Sequence, residues 1–203
     1  SLFIYLANDQ SANDTINVRI EYHGIPSDGM IISKNRFGSR TFFGDNWPNR
    51  ASQWLPVKDH PSDKASVDFR VIAPAHYRVV ANGVLTESYP SGLNMQLTRW
   101  IEAVPIPTKV MVVGIADFSV LIDTCKMGIP VSSWVYPNNE AKGFKDFSVA
   151  GEIVDFYSSY IGPYPYKKLA NVQSTTRYGG MENAGAIFYN ERAVNGSGNA
   201  RLL

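Results

Sequence analysis

This 203-residue chain has one cysteine, three histidines and a formal net charge of only +1. Each of these low values excludes some classes of protein. The single cysteine, Cys125, allows no internal disulfide, and with no histidine near it in sequence it is more typical of a small strand or loop residue than of a nucleophile. Lys and Arg number 19 and Asp and Glu 18, so the charge balance gives no reason to expect a nucleic acid or an anionic membrane as partner. No run approaches the roughly 20 apolar residues that span a bilayer, and we expect no membrane span.

The first two thirds of the chain show the period-two alternation of apolar and polar residues that is typical of β-strands. The Asn82-Gly83 pair between two such runs predicts a β-hairpin. A more continuous apolar run over residues 109–116 predicts a strand that is buried on both faces. Strands broken by turns over such a length predict an antiparallel sandwich or a saddle-shaped sheet. The alternating runs cover residues 16–23, 65–71, 77–81 and 93–97.

The period becomes helical after residue 137. Apolar residues on one stripe predict a single helix over residues 141–161, with Asp146 or Ser148 as candidate N-terminal caps and Gly162-Pro163 as a stop. Two strands, near residues 169–174 and 186–189, are predicted to follow. We therefore expect a mainly β protein with an N-terminal antiparallel β-sandwich domain over residues 1–137 and the start of an α+β domain over residues 138–203.

The most informative stretch for chemistry is Gly179-Gly180-Met181-Glu182-Asn183. Two glycines allow another backbone to approach closely, and an extended strand edge after them can pair with a peptide. Glu182 is the one acidic side chain in an otherwise neutral segment. A carboxylate in that position is suited to hold the ammonium group at the amino end of a peptide.

These five residues resemble the Gly-x-Met-Glu-Asn exopeptidase motif of the aminopeptidase N and leukotriene hydrolase family of zinc metallopeptidases. Residues 54–65 resemble the loop and strand of that family's N-terminal β domain, and residues 162–166, Gly-Pro-Tyr-Pro-Tyr, resemble the segment that precedes the motif. The resemblance implies a saddle-like β domain followed by the start of a thermolysin-like catalytic domain. It also implies that Glu182 is a catalytic residue that binds the α-amine of the substrate. The motif residues implied to line the substrate beside it are Gly179, Gly180, Met181, Asn183 and Ala184.

A second candidate contact lies in the loop that contains Asp45 and Trp47. In the resembled family, a Gln or Glu from the equivalent loop reaches the site beside the motif's glutamate, but neither residue type stands here. Asp45 could help to hold an ammonium group, and Trp47 could wall the pocket for the first side chain. The alternative is that Asp45 only stabilises a turn and that Trp47 is a core residue. Arg177 and Tyr178 are expected at most to pack the motif.

The resemblance departs from the family at the metal. Family members carry a His-Glu-x-x-His helix after the motif, whereas His23, His60 and His76 form no i, i+4 pair and have no adjacent glutamate. The resemblance thus implies zinc in the intact enzyme, with its ligands, the general base and a tyrosine in a C-terminal catalytic portion beyond Leu203. We expect this chain to be a fragment that binds peptides with a free amino end, binds no metal itself and is inactive alone.

Two other functions remain open from the sequence. The chain could be a catalytically silent peptide-binding or interaction module from the same family, or a carbohydrate-binding module that uses its tryptophans as stacking platforms. Localisation and the preferred first residue of a substrate are open as well. If the chain is a fragment, residues 141–203 are expected to expose an apolar patch or to cover it by self-association.

Overall fold

The structure, a computed structural model, describes residues 3–6 and 8–198. Over these residues the chain forms twelve strands, two α-helices and four short 3₁₀ turns. The strands are β1 (Met30–Lys34), β2 (Arg40–Gly44), β3 (Lys64–Pro74), β4 (Arg78–Ala81), β5 (Val84–Pro90), β6 (Met95–Pro107), β7 (Val113–Ala116), β8 (Ser119–Thr124), β9 (Pro130–Val135), β10 (Leu169–Ser174), β11 (Gly180–Asn183) and β12 (Ala186–Asn190). The helices are α1 (Glu140–Phe147) and α2 (Ala150–Tyr160).

The strands form three sheets. The first sheet, in the order β1-β2-β7-β4, and the second sheet, in the order β3-β6-β5, are antiparallel throughout. The third sheet, in the order β11-β12-β10-β9-β8, is mixed, because β10 runs parallel to both β9 and β12 while β8 and β11 are antiparallel edges. The prediction of a mainly β protein with antiparallel sheets is confirmed.

One continuous hydrophobic core joins the three sheets. The ring of Phe43 on β2 meets Phe188 on β12 edge to face, with their centroids 5.5 Å apart. Trp100 on β6 meets Trp134 on β9 in the same way at 6.1 Å. The third sheet takes β8 and β9 from before residue 137 and β10 to β12 from after it, and the division into units of 1–137 and 138–203 stays a prediction.

The hairpin predicted at Asn82-Gly83 is wrong. β4 pairs with β7 in the first sheet, whereas β5 pairs with β6 in the second sheet. The turn between them therefore carries the chain from one sheet to the other. Gly83 suits that crossing, because its φ is +76° and a Cβ there would lie 1.9 Å from the carbonyl oxygen of Ile101.

Two further elements differ from prediction. Residues 16–23 form no strand, and Ile16, Val18 and Tyr22 are exposed; alternation alone supplies no partner strand. The strand predicted over residues 109–116 is shorter, because a 3₁₀ turn at Thr108–Val110 precedes β7.

The single helix predicted over residues 141–161 is also wrong, because it is broken at residues 148–149 into α1 and α2. The hydroxyl of Ser148 donates to the carbonyl of Lys145 at 2.8 Å, a local bond that competes with helix continuation. Asp146 is not a cap at a helix start. It is buried, and its carboxylate accepts three 2.8 Å hydrogen bonds from the backbone N–H groups of Asn195, Gly196 and Gly198.

Helix α2 packs one face on the third sheet and leaves the other in solvent. Ala150, Val154 and Ser158 are buried, while Phe156 and Tyr160 are exposed and stack on each other. Apolar side chains are thus exposed within the described part of residues 141–203, and the expectation that they stay open or are covered by self-association stays a prediction. Neither α1 nor α2, nor any other described helix, has the length and hydropathy to cross a bilayer.

Candidate peptide-binding site at an edge strand

The motif lies on a strand at the edge of the third sheet. β11 pairs antiparallel with β12 on one side, with Gly180 opposite Tyr189 and Glu182 opposite Ile187. On its other side β11 has no neighbour among residues 3–6 and 8–198. An edge strand of this kind leaves backbone N–H and C=O groups for an added strand.

Glu182 projects from this strand with an exposed carboxylate. In the described part of the chain it forms no hydrogen bond and no ion pair. It lines both a cavity of about 240 Å³ and a larger groove of about 590 Å³. Burial, and next the negative charge of Glu182, raise the pKa of Tyr189 on the neighbouring strand. The carboxylate is thus an uncompensated negative charge between two concave surfaces.

The smaller cavity brings together parts of the chain that are far apart in sequence. Asp45 and Trp47, from the loop after β2, lie in its wall with Glu182. The other lining residues are Thr176, Tyr178, Gly180 and Met181. The bend at residues 177–179 and the start of β11 thus form one wall of the cavity.

Asp45 differs from Glu182 in that its charge is already compensated. It is 3% exposed, and its Oδ1 lies 2.7 Å from a guanidinium nitrogen of Arg50. The hydroxyl of Thr176 donates to its Oδ2 at 3.5 Å. Of the two carboxylates at this cavity, Glu182 is therefore the one available to an incoming cation.

Trp47 is 47% exposed, so the alternative that it is a core residue is wrong. The ammonium nitrogen of Lys109 lies 4.5 Å from the centroid of its ring, in a cation–π contact. The ring is thus held at the rim of the cavity by a neighbouring side chain.

The remaining motif residues take different places. A Cβ built on Gly179 would meet no atom within 4 Å, so packing does not require a glycine there. Asn183 and Ala184 are buried and line the larger groove. The Oδ1 atom of Asn183 has no hydrogen-bond partner within the described residues.

The larger groove is mainly apolar. It runs between α2 and the motif and includes Tyr164 and Tyr166 of the Gly-Pro-Tyr-Pro-Tyr segment. Burial is the main cause that raises the pKa of both tyrosines, which therefore stay protonated near neutral pH.

Two kinds of residue near the motif were not predicted from the sequence. Tyr178, expected only to pack the motif, is exposed and lines the smaller cavity. Neither Tyr178 nor Thr176 stands in an alternating pattern of apolar and polar residues that could have marked it in the sequence. Asn82 and Lys168, which contact the turn after the motif, left no local pattern that could have been read.

The residues present do not fit a zinc site. No three His, Cys, Asp or Glu side chains within residues 3–6 and 8–198 are grouped to hold a metal ion. The Nδ1 atom of His60 forms a 2.7 Å hydrogen bond with the hydroxyl of Ser62, and the ring of His76 lies against the ring of Tyr77.

Comparison with known proteins matches residues 1–110 to a family described as the peptidase M1 N-terminal domain. The chain is 24% identical over 149 residues to glutamyl aminopeptidase of Rattus norvegicus, covering 72% of this chain and 16% of that protein. It is 27% identical over 146 residues to probable aminopeptidase 1 of Saccharolobus solfataricus, covering 71% and 18%. It is 26% identical over 150 residues to endoplasmic reticulum aminopeptidase 1 of Homo sapiens, covering 72% and 16%. The matched part thus spans under a fifth of the length of these relatives.

Proposed function

The chain belongs to the peptidase M1 N-terminal domain family, and on that premise we propose that it forms the part of an aminopeptidase that holds the free amino end of a peptide substrate. The whole protein would remove the first residue of peptides. Its zinc-dependent chemistry would belong to a portion outside this chain, and the chain alone would be inactive.

The observation that carries the proposal is the exposed carboxylate of Glu182, which has no hydrogen-bond or ion-pair partner within residues 3–6 and 8–198, on a strand whose second edge is free within those residues. A substrate backbone would add to the edge of β11, with its ammonium group on the carboxylate of Glu182. A charge-assisted hydrogen bond of this kind contributes about 1.5–3 kcal/mol. A peptide whose amino group is acetylated has no positive charge and would lose this contribution.

The surroundings of Glu182 support the same assignment. Trp47 and Tyr178 would enclose the first side chain of the substrate in the smaller cavity. Gly179, next to open space, leaves room for the substrate backbone. Asp45, held by Arg50, would add negative potential without binding the ammonium group itself. An amino end fixed in this way allows only the first peptide bond to reach a catalytic group.

The first test measures cleavage of aminoacyl amides by the full-length protein. Glu182→Ala and Glu182→Gln are expected to lower kcat/KM about 10- to 100-fold, which is the loss of one charge-assisted contact. Glu152→Gln is the matched control, because Glu152 is an exposed glutamate on α2 that lines neither cavity. Unchanged kcat/KM in both Glu182 variants would remove the assigned role.

The second test uses the 203-residue chain and needs no metal. Binding of a short peptide with a free amino end is compared with binding of the same peptide acetylated there, followed by NMR titration. The free peptide is expected to bind about 10-fold tighter or more, and Glu182→Gln is expected to abolish the difference. If the full-length protein shows this preference but cleaves nothing, the silent peptide-binding module replaces the enzyme.

A further inference from the structure

A buried lysine lies where the three sheets meet, next to the motif. Lys168 is buried, and its ammonium nitrogen donates to the carbonyl of Ala81 in the first sheet and to the carbonyl of Gly185 in the turn that joins two strands of the third sheet, both at 2.8 Å. It also lies 5.2 Å from the centroid of the Trp100 ring in the second sheet. One side chain thus contacts elements of all three sheets, and Lys168 lines neither the smaller cavity nor the larger groove.

The carbonyl that Lys168 holds belongs to the turn directly after the motif. Ala184 and Gly185 connect β11 to β12, and Gly185 adopts a φ of +65°. Because β12 is the one partner strand of β11 in the described part of the chain, this turn and the pairing with β12 set where Glu182 lies. A group that fixes the turn therefore also fixes the carboxylate two residues before it.

Asn82 holds the other residue of the same turn. Its side chain is fully buried, and its Nδ2 donates to the carbonyl of Ala184 and to the carbonyl of Val110, both at 2.8 Å. Its Oδ1 accepts from the N–H of Val112 at 2.6 Å. Both carbonyls of the turn are thus bound by side chains that come from outside its hairpin.

These side chains tie the turn to the part of the fold that carries the other wall of the cavity. β2 and β4 are both antiparallel to β7, so they run in the same direction, and their carboxyl ends lie on the same side of the first sheet. Asp45 and Trp47 follow the carboxyl end of β2, and Asn82 follows the carboxyl end of β4. The distance between Glu182 and the opposite wall therefore depends on the bonds that Asn82 and Lys168 make across the sheets.

We infer that Lys168, together with Asn82, is a positioning residue for recognition of the substrate's amino end. By holding the Ala184-Gly185 turn against the first sheet, the pair sets Glu182 at the mouth of the cavity that Asp45 and Trp47 close. This inference rests on the proposed function, because it assigns a purpose to the placement of Glu182. Lys168 touches no substrate; it acts through the turn.

The test measures discrimination rather than stability. For each variant of the 203-residue chain, the ratio of the Kd of the amino-acetylated peptide to that of the free peptide is determined. Lys168→Met keeps the length of the side chain and removes the ammonium group, so the ratio is expected to fall at least about threefold, because small displacements of a binding group weaken it disproportionately. Lys167→Met is the matched control, since Lys167 is the exposed neighbour of Lys168, and it is expected to leave the ratio unchanged.

A purely structural role would give a different result. Lys168→Met would then lower the Tm but leave the ratio at its wild-type value well below that Tm, and this outcome overturns the inference. If Lys168→Met does not fold, the double variant Lys168→Met/Glu102→Gln is used. It also removes the buried negative charge of Glu102, so no unpaired charge is left inside. A wild-type ratio in the folded double variant overturns the inference equally.

The same measurements separate this inference from the proposed function. If the wild-type ratio is near one, the proposed function fails and the inference falls with it. If the wild-type ratio is high and Glu182→Gln abolishes it while Lys168→Met does not change it, only the positioning role fails.

Discussion

Gly83 shows how a single missing side chain shapes this fold. Alanine at this position would take a φ of +76° and bring its Cβ within 1.9 Å of a backbone oxygen that cannot move away easily. We expect Gly83→Ala to lower the free energy of unfolding by roughly 3 kcal/mol or more, since left-handed strain and overpacking each cost about 1–3 kcal/mol. Urea-induced unfolding of the 203-residue chain measures this loss.

Gly92 provides the matched control for Gly83. It also has a positive φ, of +90°, but a Cβ there would meet nothing within 4 Å. Gly92→Ala is therefore expected to cost only the conformational strain, about 1–2 kcal/mol. Equal losses in the two variants would show that the contact with Ile101 does not matter.

The residues of the candidate site were foreseeable to different degrees. Glu182 could be chosen from the sequence because it is the one acidic group in a glycine-rich segment with a recognisable pattern. Asp45 and Trp47 could be proposed from the resemblance, but the sequence could not show that Arg50 compensates the charge of Asp45. Lys168 gave no sign of its contacts, because they join residues 17 and 87 positions away.

At the scale of elements, α2 offers a direct comparison of its two faces. Val154 is 5% exposed and packs in the core with Leu169, whereas Phe156 is 60% exposed. Val154→Ala is expected to lower the free energy of unfolding by about 2 kcal/mol, because buried methyl groups are lost and a cavity remains. Phe156→Ala is expected to change it by less than about 0.5 kcal/mol.

Thermal and urea unfolding of the two α2 variants check this expectation. Truncation of the larger side chain, Phe156, should lower the free energy of unfolding less than truncation of Val154. Side-chain size alone would give the opposite order. A greater loss for Phe156→Ala would mean that its exposed face is covered by another molecule in solution.

Periodicity located elements better than it located their partners or their ends. Alternation found β3 and β4, and helical spacing found the α1–α2 region. It did not show that β4 and β5 enter different sheets, because the pairing partner of a strand lies outside any local window. Apolar periodicity also did not report the break between α1 and α2, where the hydroxyl of Ser148 donates to the carbonyl of Lys145.

At the scale of the whole molecule, Lys168, which lies where the three sheets meet, should make the free energy of unfolding depend on pH. Burial lowers the pKa of Lys168 from 10.5 to about 7, and the negative charge of Glu102 opposes this shift. Burial, and next the negative charge of Glu102, also raise the pKa of Tyr166. Between pH 7 and 10.5 the unfolded chain therefore holds a proton that the folded chain has released.

The sign of the effect follows from that difference in bound protons. The contribution of Lys168 to stability rises with pH across this window and is lost as the pH falls through about 7. The slope is at most about 1.4 kcal/mol per pH unit. Urea unfolding of the wild type and of Lys168→Met at several pH values measures this slope as the pH dependence of the difference between their free energies of unfolding. A difference that stays constant with pH would contradict the expectation.

The sequence by itself determined that the chain is mainly β, that it resembles a family of aminopeptidases, and that Glu182 is the acidic group of the motif. These properties reside in short stretches, where side-chain alternation and neighbouring residue types carry the information. Only the tertiary structure decided that Glu182 is the free carboxylate and Asp45 the compensated one, and that Asn82 and Lys168 hold the turn beside it. Charge compensation and buried hydrogen bonds depend on which distant residues come into contact when three sheets pack around one core.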